Sequence, residues 1–224
     1  MSKLARIQKV ISDNVFFILP FILIIVSAAF FLGIYGNNSI FLYLNRIHSP
    51  VADYLFLKIT HLGDGTVAFL LVLILLWISL REALTFLTIT LILIIIVTIL
   101  KRGIFPELDR PAGYFETSEV IRLINGYDPP RRYTFPSGHS ATVYSIFLYL
   151  SFLIRRQWLK FTLFLIAFSV SYSRIYLSAH FPADAVAGSL IAVTITILCY
   201  SVSRQIQNSW FDKKLMLKPK IQFR

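Results

Sequence analysis

The chain has 224 residues, 57% of them hydrophobic, and a mean hydropathy of +0.72, which excludes a soluble globular class because so many apolar side chains could not all be buried at this length. The formal net charge is +11, from 22 Lys and Arg against 11 Asp and Glu. Since these charges flank apolar runs, they indicate a membrane protein and exclude nucleic acid as the expected partner.

Six apolar runs approach the roughly 20 residues that a helix needs to cross the hydrocarbon core. They are Val15 to Ile34, Thr66 to Leu80, Ala83 to Leu100, Ser140 to Ile154, Trp158 to Ser173 and Ala183 to Val202. We therefore expect an all-α fold, a polytopic bundle of six transmembrane helices that forms one domain over residues 1–224. The first run is too long for a signal peptide and lacks a small-residue cleavage site after it, so we expect it to be a permanent helix.

Basic residues flank these runs unevenly. If the spans alternate in direction, one side of the membrane receives the N-terminal segment 1–14, Arg81, the Arg155-Arg156 pair with Lys160, and the basic tail 204–224. The positive-inside rule makes that side the cytoplasm, with both termini there. The sequence thus predicts an integral protein of a bacterial cytoplasmic (inner) membrane, surrounded by membrane lipids.

Nine basic residues remain on the outer side, against the orientation rule. They are Arg46, Lys58, Lys101, Arg102, Arg110, Arg122, Arg131, Arg132 and Arg174. Six of them lie in the long connection 101–139, whose turn-forming residues are typical of an ordered loop, and such loops are usually functional. The alternative is a solvated loop that touches lipid headgroups.

The preceding connection, residues 37–65, has apolar residues at helical spacing interrupted by Pro50, a pattern typical of a segment in the membrane interface. His48, Asp53, His61 and Asp64 are expected to be polar residues of that interface, with contact to a substrate as the alternative.

Pro136-Ser137-Gly138-His139 leads directly into the fourth apolar run. A helix N-terminus attracts phosphate through its free backbone amides and its dipole, and Gly138 lets an anion approach closely. Ser137 alone could simply cap the helix.

A second polar cluster spans the end of the fifth run and the start of the sixth. Pro182 suits the first helical turn, so Asp184 lies in that turn and can reach back to His180. A carboxylate that accepts the proton of one ring nitrogen fixes the tautomer and leaves the other nitrogen free as a nucleophile. His139 and His180 are expected at the same outer depth.

Cations complete the predicted site. Lys101 or Arg102, together with Arg110 and Arg174, would form a cationic cradle for phosphate oxygens, which arginine can bind in a bidentate manner. The alternative for Lys101 is a side chain that snorkels from a helix end. The combination favours phosphoryl transfer.

These residues resemble the type 2 phosphatidic acid phosphatase family, whose motifs are Lys-x6-Arg-Pro, Pro-Ser-Gly-His and Ser-Arg-x5-His-x3-Asp. The second motif matches at residues 136–139 and the third at Ser173, Arg174, His180 and Asp184. The first departs from the pattern: Lys101 precedes Arg110 by eight intervening residues and Arg102 by seven. Which of the two binds phosphate stays open. The resemblance covers roughly residues 40–203.

The resemblance implies a lipid phosphate phosphatase with its active site on the outer face. It implies that His180 forms a phosphohistidine, that Asp184 orients it, and that His139 protonates the leaving alcohol and then activates water. The phosphate-binding residues it implies are Lys101 or Arg102, Arg110, Ser137, Gly138 and Arg174. It implies no metal and no cofactor. Candidate substrates are phosphatidic acid, phosphatidylglycerophosphate, a polyprenyl pyrophosphate and a phosphorylated lipid A, and Arg122, Arg131 and Arg132 could extend the cradle toward a second phosphate.

Three alternatives stay open at this point. The first is a hydrolase with a triad of Ser137 or Ser140, a histidine and Asp184, although the Gly-x-Ser-x-Gly elbow is absent from the sequence. The second is a non-catalytic lipid-phosphate binder or transporter. The third is a metal site built on His139, His180 and Asp184.

Overall fold

The computed structural model describes residues 3–115 and 121–206, and all regular structure within them is helical. The α-helices are α1 Lys3–Asp13, α2 Val15–Tyr35, α3 Asn37–Arg46, α4 Pro50–Ile59, α5 Gly65–Ile78, α6 Leu80–Ile99, α7 Pro111–Tyr114, α8 Gly138–Leu153, α9 Gln157–Tyr176 and α10 Pro182–Ser203. A 3₁₀ turn, Thr60–Gly63, follows α4, and a π turn, Leu100–Ile104, follows α6. The predicted all-α class is confirmed, and each of the six apolar runs forms a helix.

Fewer of these helices qualify as membrane spans than the sequence predicts. Three are long and apolar enough: α2, α6 with its π turn, and α10. The segment Pro50–Gly63 and α5, bent by 53°, make a fourth if they count as one broken span. The described residues thus hold three or four spans by length and composition, against six predicted. The chain is an integral membrane protein.

Helix α8 lies inside the bundle, where it packs against α5, α6, α9 and α10. Its Val143, Leu148 and Tyr149 are fully buried, and the Tyr149 ring lies 5.0 Å from the Phe86 ring of α6. Helix α2, by contrast, exposes a row of large apolar side chains, among them Leu23 and Phe30. An apolar surface of this kind is what lipid covers, so α2 lies at the periphery and α8 at the centre.

A charged cluster fixes one end of the bundle. Arg204, just after α10, donates to both carboxylate oxygens of Glu82 on α6 at 2.6 Å, and the Tyr149 hydroxyl of α8 donates to the same carboxylate at 2.8 Å. Arg81 donates to the carbonyl of Ser203 at 2.7 Å. These bonds join the ends of α6, α8 and α10 that lie farthest from the predicted site.

At the other end, the described part of the long connection is tied to the two helices of the preceding connection. The Arg122 amide donates to Asn45 Oδ1 of α3 at 2.7 Å, and the Arg122 guanidinium pairs with Asp53 of α4. Tyr176, at the end of α9, also donates to Asp53. The predicted interfacial segment therefore acts as a support for the loop that carries the first motif.

Candidate active site

The predicted site residues lie at one end of the bundle, where α6 and α9 end and α8 and α10 begin. The Ser137 amide, just before α8, donates to the Asp184 carbonyl in the first turn of α10 at 2.9 Å. Arg110 Nη1 donates to the Ala179 carbonyl at 3.2 Å. Because these bonds join the three motifs directly, segments distant in sequence meet at one place.

His180 and Asp184 form a buried pair. Asp184 Oδ2 lies 3.3 Å from His180 Nδ1, accepts the Phe181 amide at 2.8 Å, and also accepts the Thr134 hydroxyl. His180 is 1% exposed. Nδ1 faces this carboxylate, and a neutral ring that donates its proton from Nδ1 keeps the lone pair of Nε2. This is the tautomer that a nucleophilic histidine needs.

The surroundings keep this histidine neutral. Burial, followed by the positive charges of Arg110, Lys101 and Arg174, holds the pKa of His180 well below its ordinary value of 6.5. A histidine is neutral above its pKa, so His180 has a free lone pair across the neutral pH range. The same cations that would hold a phosphate also keep the ring unprotonated.

Three successive carbonyls hold the cations of the first motif. The Arg131 carbonyl accepts the Arg110 amide at 2.8 Å and the Arg132 carbonyl accepts Arg110 Nε at 2.9 Å. The Tyr133 carbonyl accepts Lys101 Nζ at 3.2 Å. Burial and then Arg174 lower the pKa of Arg110 to about 10, which still leaves it charged at neutral pH.

Lys101 and Arg102 point in different directions. Lys101 is half-buried and lies within electrostatic range of Arg110, Arg174 and Asp184. Arg102 is exposed, with its guanidinium 5.7 Å from the centre of the Tyr133 ring. The structure thus groups Lys101 with Arg110 and Arg174, and we call these three residues the cationic cluster. Arg102 lies outside it.

Arg174 is the most buried cation of the cluster, at 4% exposure. One of its Nη atoms donates to Thr60 Oγ1 at 2.7 Å, but its buried Nε has no hydrogen-bond partner among the described residues. Buried donors are normally satisfied, so an unpaired guanidinium nitrogen here indicates a position for an anionic ligand.

Ser137 caps α8 by accepting the Ser140 amide at 3.3 Å, as the alternative interpretation predicts. The Ser140 hydroxyl contacts Ser137 Oγ at 3.1 Å and Ser171 Oγ at 2.8 Å. Within the described residues neither Ser137 nor Ser140 contacts a histidine, which a serine nucleophile would require.

Glycine at position 188 permits the contact between α8 and α10. A Cβ there would lie 2.3 Å from the Ser137 carbonyl oxygen, a backbone atom that can move only with the whole turn. We therefore expect Gly188→Ala to displace residues 136–139 from α10 and to lower activity strongly while the helical circular dichroism spectrum is kept. Gly33→Ala on α2 is the matched control, because nothing lies within 4 Å of its Cβ position. Equal activity of the two variants would contradict the expectation.

The sequence does not single out Thr134 or Thr60, and it predicts Asp64 as an interface residue or a substrate contact rather than as a partner of His139. Thr134 bonds to Asp184, Thr60 accepts from Arg174, and Asp64 lies 2.9 Å from His139 Nε2. Asp64 carries a visible signal, a carboxylate in a loop expected at the interface, but no spacing rule linked it to His139. The described residues contain no group of three or more His, Cys, Asp or Glu side chains that could hold a metal ion.

A cleft of about 270 Å³ opens beside His139 and runs between α5, α6 and α8. Its polar end contains Asp64 and Gly138, and its apolar walls include Leu93 and Val97. The cleft therefore connects the surroundings of His139 with apolar side chains of α6.

The model of the PAP2 superfamily matches residues 82–207 of the chain. The chain therefore belongs to the PAP2 superfamily. The family predicted from the motifs is confirmed.

Two curated proteins are similar to this PAP2 chain in sequence. The lipid A 4'-phosphatase of Bacteroides thetaiotaomicron is 38% identical over 77 residues, which are 33% of this chain and 32% of that protein, so the match spans about a third of the relative. The lipid A 4'-phosphatase of Porphyromonas gingivalis is 25% identical over 188 residues, 82% of this chain and 79% of that protein.

Two crystal structures share the fold of this PAP2 chain. Aquifex aeolicus LpxE is similar with a TM-score of 0.62 and 29% identity, covering 76% of this chain and 95% of LpxE. A PAP2 type phosphatidylglycerolphosphate phosphatase from Bacillus subtilis has a TM-score of 0.56 and 20% identity, covering 85% of this chain and 97% of that one. The second likeness bears on the fold alone.

Proposed function

We propose that this chain is a membrane phosphatase that removes phosphate from a lipid through a phosphohistidine at His180. One observation carries the proposal: a buried, neutral histidine faces Asp184 through Nδ1 and is surrounded by Lys101, Arg110 and Arg174. Such an arrangement supplies a nucleophile and positive charge for the same phosphate.

In the first step, His180 Nε2 attacks phosphorus as the bond from phosphorus to the lipid oxygen breaks. His139 donates a proton to that oxygen, so the lipid leaves as an alcohol. In the second step, His139 takes a proton from water, the hydroxide attacks the phosphohistidine, and the N–P bond breaks to release inorganic phosphate. Asp184 holds the His180 ring and stabilises its positive charge while the intermediate exists.

The phosphate oxygens are held by the three cations and by the N-terminus of α8. Ser137 fixes the turn by accepting the Ser140 amide, which leaves the amides of Gly138 and His139 as the donors for the anion. Arg102, exposed over Tyr133, is assigned no direct contact. This positive charge does what Mg²⁺ does in other phosphoryl-transfer sites, so we propose that the reaction needs neither metal nor cofactor.

The substrate we propose is a lipid phosphate, with a phosphorylated glycolipid of the lipid A type as the first candidate. The names of the two curated relatives favour that class. The cleft supports a lipid, because it leads from His139 and Asp64 to apolar walls. We further propose six spans, termini in the cytoplasm, and a site on the outer face of the bacterial inner membrane, on the basis of the basic flanks of the apolar runs.

The test is release of inorganic phosphate by the purified protein from a panel of lipids in micelles. The panel contains a lipid A 4'-phosphate, phosphatidylglycerophosphate, phosphatidic acid and a polyprenyl pyrophosphate. A non-catalytic binder would bind one of them and release nothing. Labelled phosphate on an acid-labile histidine adduct supports the proposal, whereas an acid-stable serine adduct would replace it by the triad alternative.

Arg174→Lys is expected to lower kcat by about 10² to 10³, the usual effect of losing one preorganised donor to a transition-state oxygen. An ammonium cannot keep the bond to Thr60 and also offer the position of the unpaired Nε. Phosphate release under saturating substrate measures the effect. The control is Arg46→Lys, an exposed arginine of α3. Wild-type turnover of Arg174→Lys would remove Arg174 from the site.

A further inference from the structure

Asp64 stands at the residue before α5, where an aspartate commonly caps the helix, yet its side chain makes no capping hydrogen bond. Its carboxylate instead lies between two histidines. Oδ1 is 2.9 Å from His139 Nε2, and Oδ2 is 2.9 Å from His61 Nδ1. The carboxylate therefore does not bond to the backbone amides of α5, and one of its oxygens contacts a ring 75 positions away in the chain.

The backbone next to Asp64 is pressed against the same ring. A Cβ at Gly63 would lie 3.1 Å from both Cβ and Cδ2 of His139. The loop that carries the carboxylate is thus in contact with the imidazole along its Cδ2 edge. Nδ1 lies on the edge of the ring opposite Cδ2, away from the Gly63 backbone.

The environment of His139 disfavours its protonated form, and Asp64 is the carboxylate in contact with the ring. Burial, followed by the positive charges of Arg174 and Arg110, lowers the pKa of His139. The carboxylate of Asp64 acts in the opposite direction and raises it. A general acid has to carry a proton before it can donate one, and beside two guanidinium groups it needs a negative charge to do so.

We propose that Asp64 is a positioning residue that holds the protonated ring of His139 through Nε2, so that Nδ1 transfers its proton to the leaving lipid oxygen. This deepens the proposed function and rests on it. In the step, the bond from phosphorus to the lipid oxygen breaks, the proton passes from Nδ1 to that oxygen, and His139 becomes neutral. Asp64 stays a carboxylate throughout.

The test compares Asp64→Asn with wild type on two substrates of equal chain length, an alkyl phosphate and a nitrophenyl phosphate that carries the same alkyl chain. An alkoxide needs a proton to leave, whereas a nitrophenolate does not. We expect kcat for the alkyl phosphate to fall by about 10² and kcat for the nitrophenyl phosphate to fall by about tenfold or less. A loss of structure would lower both equally.

His61→Ala is the matched control, since His61 pairs with the other oxygen of the same carboxylate and its side chain is 72% exposed. Its expected effect is small and the same for both substrates. Equal losses on the two substrates for Asp64→Asn, or no loss, would overturn the role of Asp64. His180→Ala, run in parallel, separates this outcome from failure of the proposed function: if that variant stays active, the phosphatase mechanism itself is wrong.

Discussion

His180→Ala is expected to lower the rate of phosphate release from a lipid phosphate by about 10⁴ or more. Without the nucleophile, the covalent phosphohistidine intermediate cannot form. The substitution deletes the ring whose Nδ1 faces Asp184 and whose Nε2 would attack phosphorus. The loss should appear in kcat and should be similar for alkyl and nitrophenyl leaving groups, because both substrates need the same attack by Nε2. A second readout is labelled phosphate on the protein, which should be absent from this variant.

The control for His180→Ala is His48→Ala, which removes an exposed histidine whose Nδ1 lies near the Arg46 carbonyl. It should retain full turnover. Because His180 belongs to a buried pair, thermal unfolding of both variants should be measured to separate a loss of folding from a loss of chemistry. Turnover above about one hundredth of wild type by a folded His180→Ala protein would show that another group attacks phosphorus.

His139→Ala is expected to lower turnover of an alkyl phosphate by about 10² to 10⁴, the range that a general acid–base residue contributes. With a nitrophenyl phosphate, the first step needs no proton from the enzyme, while the second still needs a base to activate water. We therefore expect this variant to accumulate phosphohistidine from the nitrophenyl substrate. Rapid quenching should show a burst of nitrophenol with slow release of phosphate.

His139→Ala and the double variant His139→Ala/His180→Ala should differ in the amount of labelled phosphate that they carry after reaction with the nitrophenyl substrate. His139→Ala should carry labelled phosphate, and the double variant with His180→Ala should carry none. If His139→Ala hydrolyses the alkyl phosphate as fast as wild type, or if labelled phosphate appears in the double variant, the assignment of the two histidines is wrong.

The parts of the site that are local in sequence were predictable. His180 and Asp184 are separated by one helical turn across Pro182, so their contact follows from helix geometry. The contact between Asp64 and His139 joins two loops that only tertiary packing brings together, and no periodicity reports it. Thr134 was equally invisible, because a threonine before a proline-containing turn has no distinctive chemistry until its partner is known.

The choice between Lys101 and Arg102 could not be made from the sequence for a geometric reason. The two residues lie in the π turn Leu100–Ile104, which inserts an extra residue into the helical repeat. Neighbouring side chains on a helix point about 100° apart, so the turn decides which of them faces the cluster. A count of intervening residues contains no information about it.

The described helices that qualify as spans by length and composition number three or four, against the six predicted from the sequence. Helix α8 has 16 residues and α9 contains buried Lys160 and Arg174, so neither satisfies a test of length and apolar composition. Helices in the middle of a bundle face protein rather than lipid, and polar side chains there find partners such as the Asn14 oxygen that Lys160 contacts at 2.9 Å. Their composition therefore differs from that of a peripheral helix.

The backbone carbonyls of residues 131–133 set the positions of Lys101 and Arg110. Those positions therefore do not depend on how many residues lie between the two cations. Arg110 and Lys101 are both anchored to this one strip of backbone rather than to each other. Extra residues between Lys101 and Arg110 can form a longer surface loop while both charged groups keep their bonds to these carbonyls. We therefore expect an insertion in that interval to leave both cations in place, whereas a one-residue deletion within 131–133 would move both charges at once.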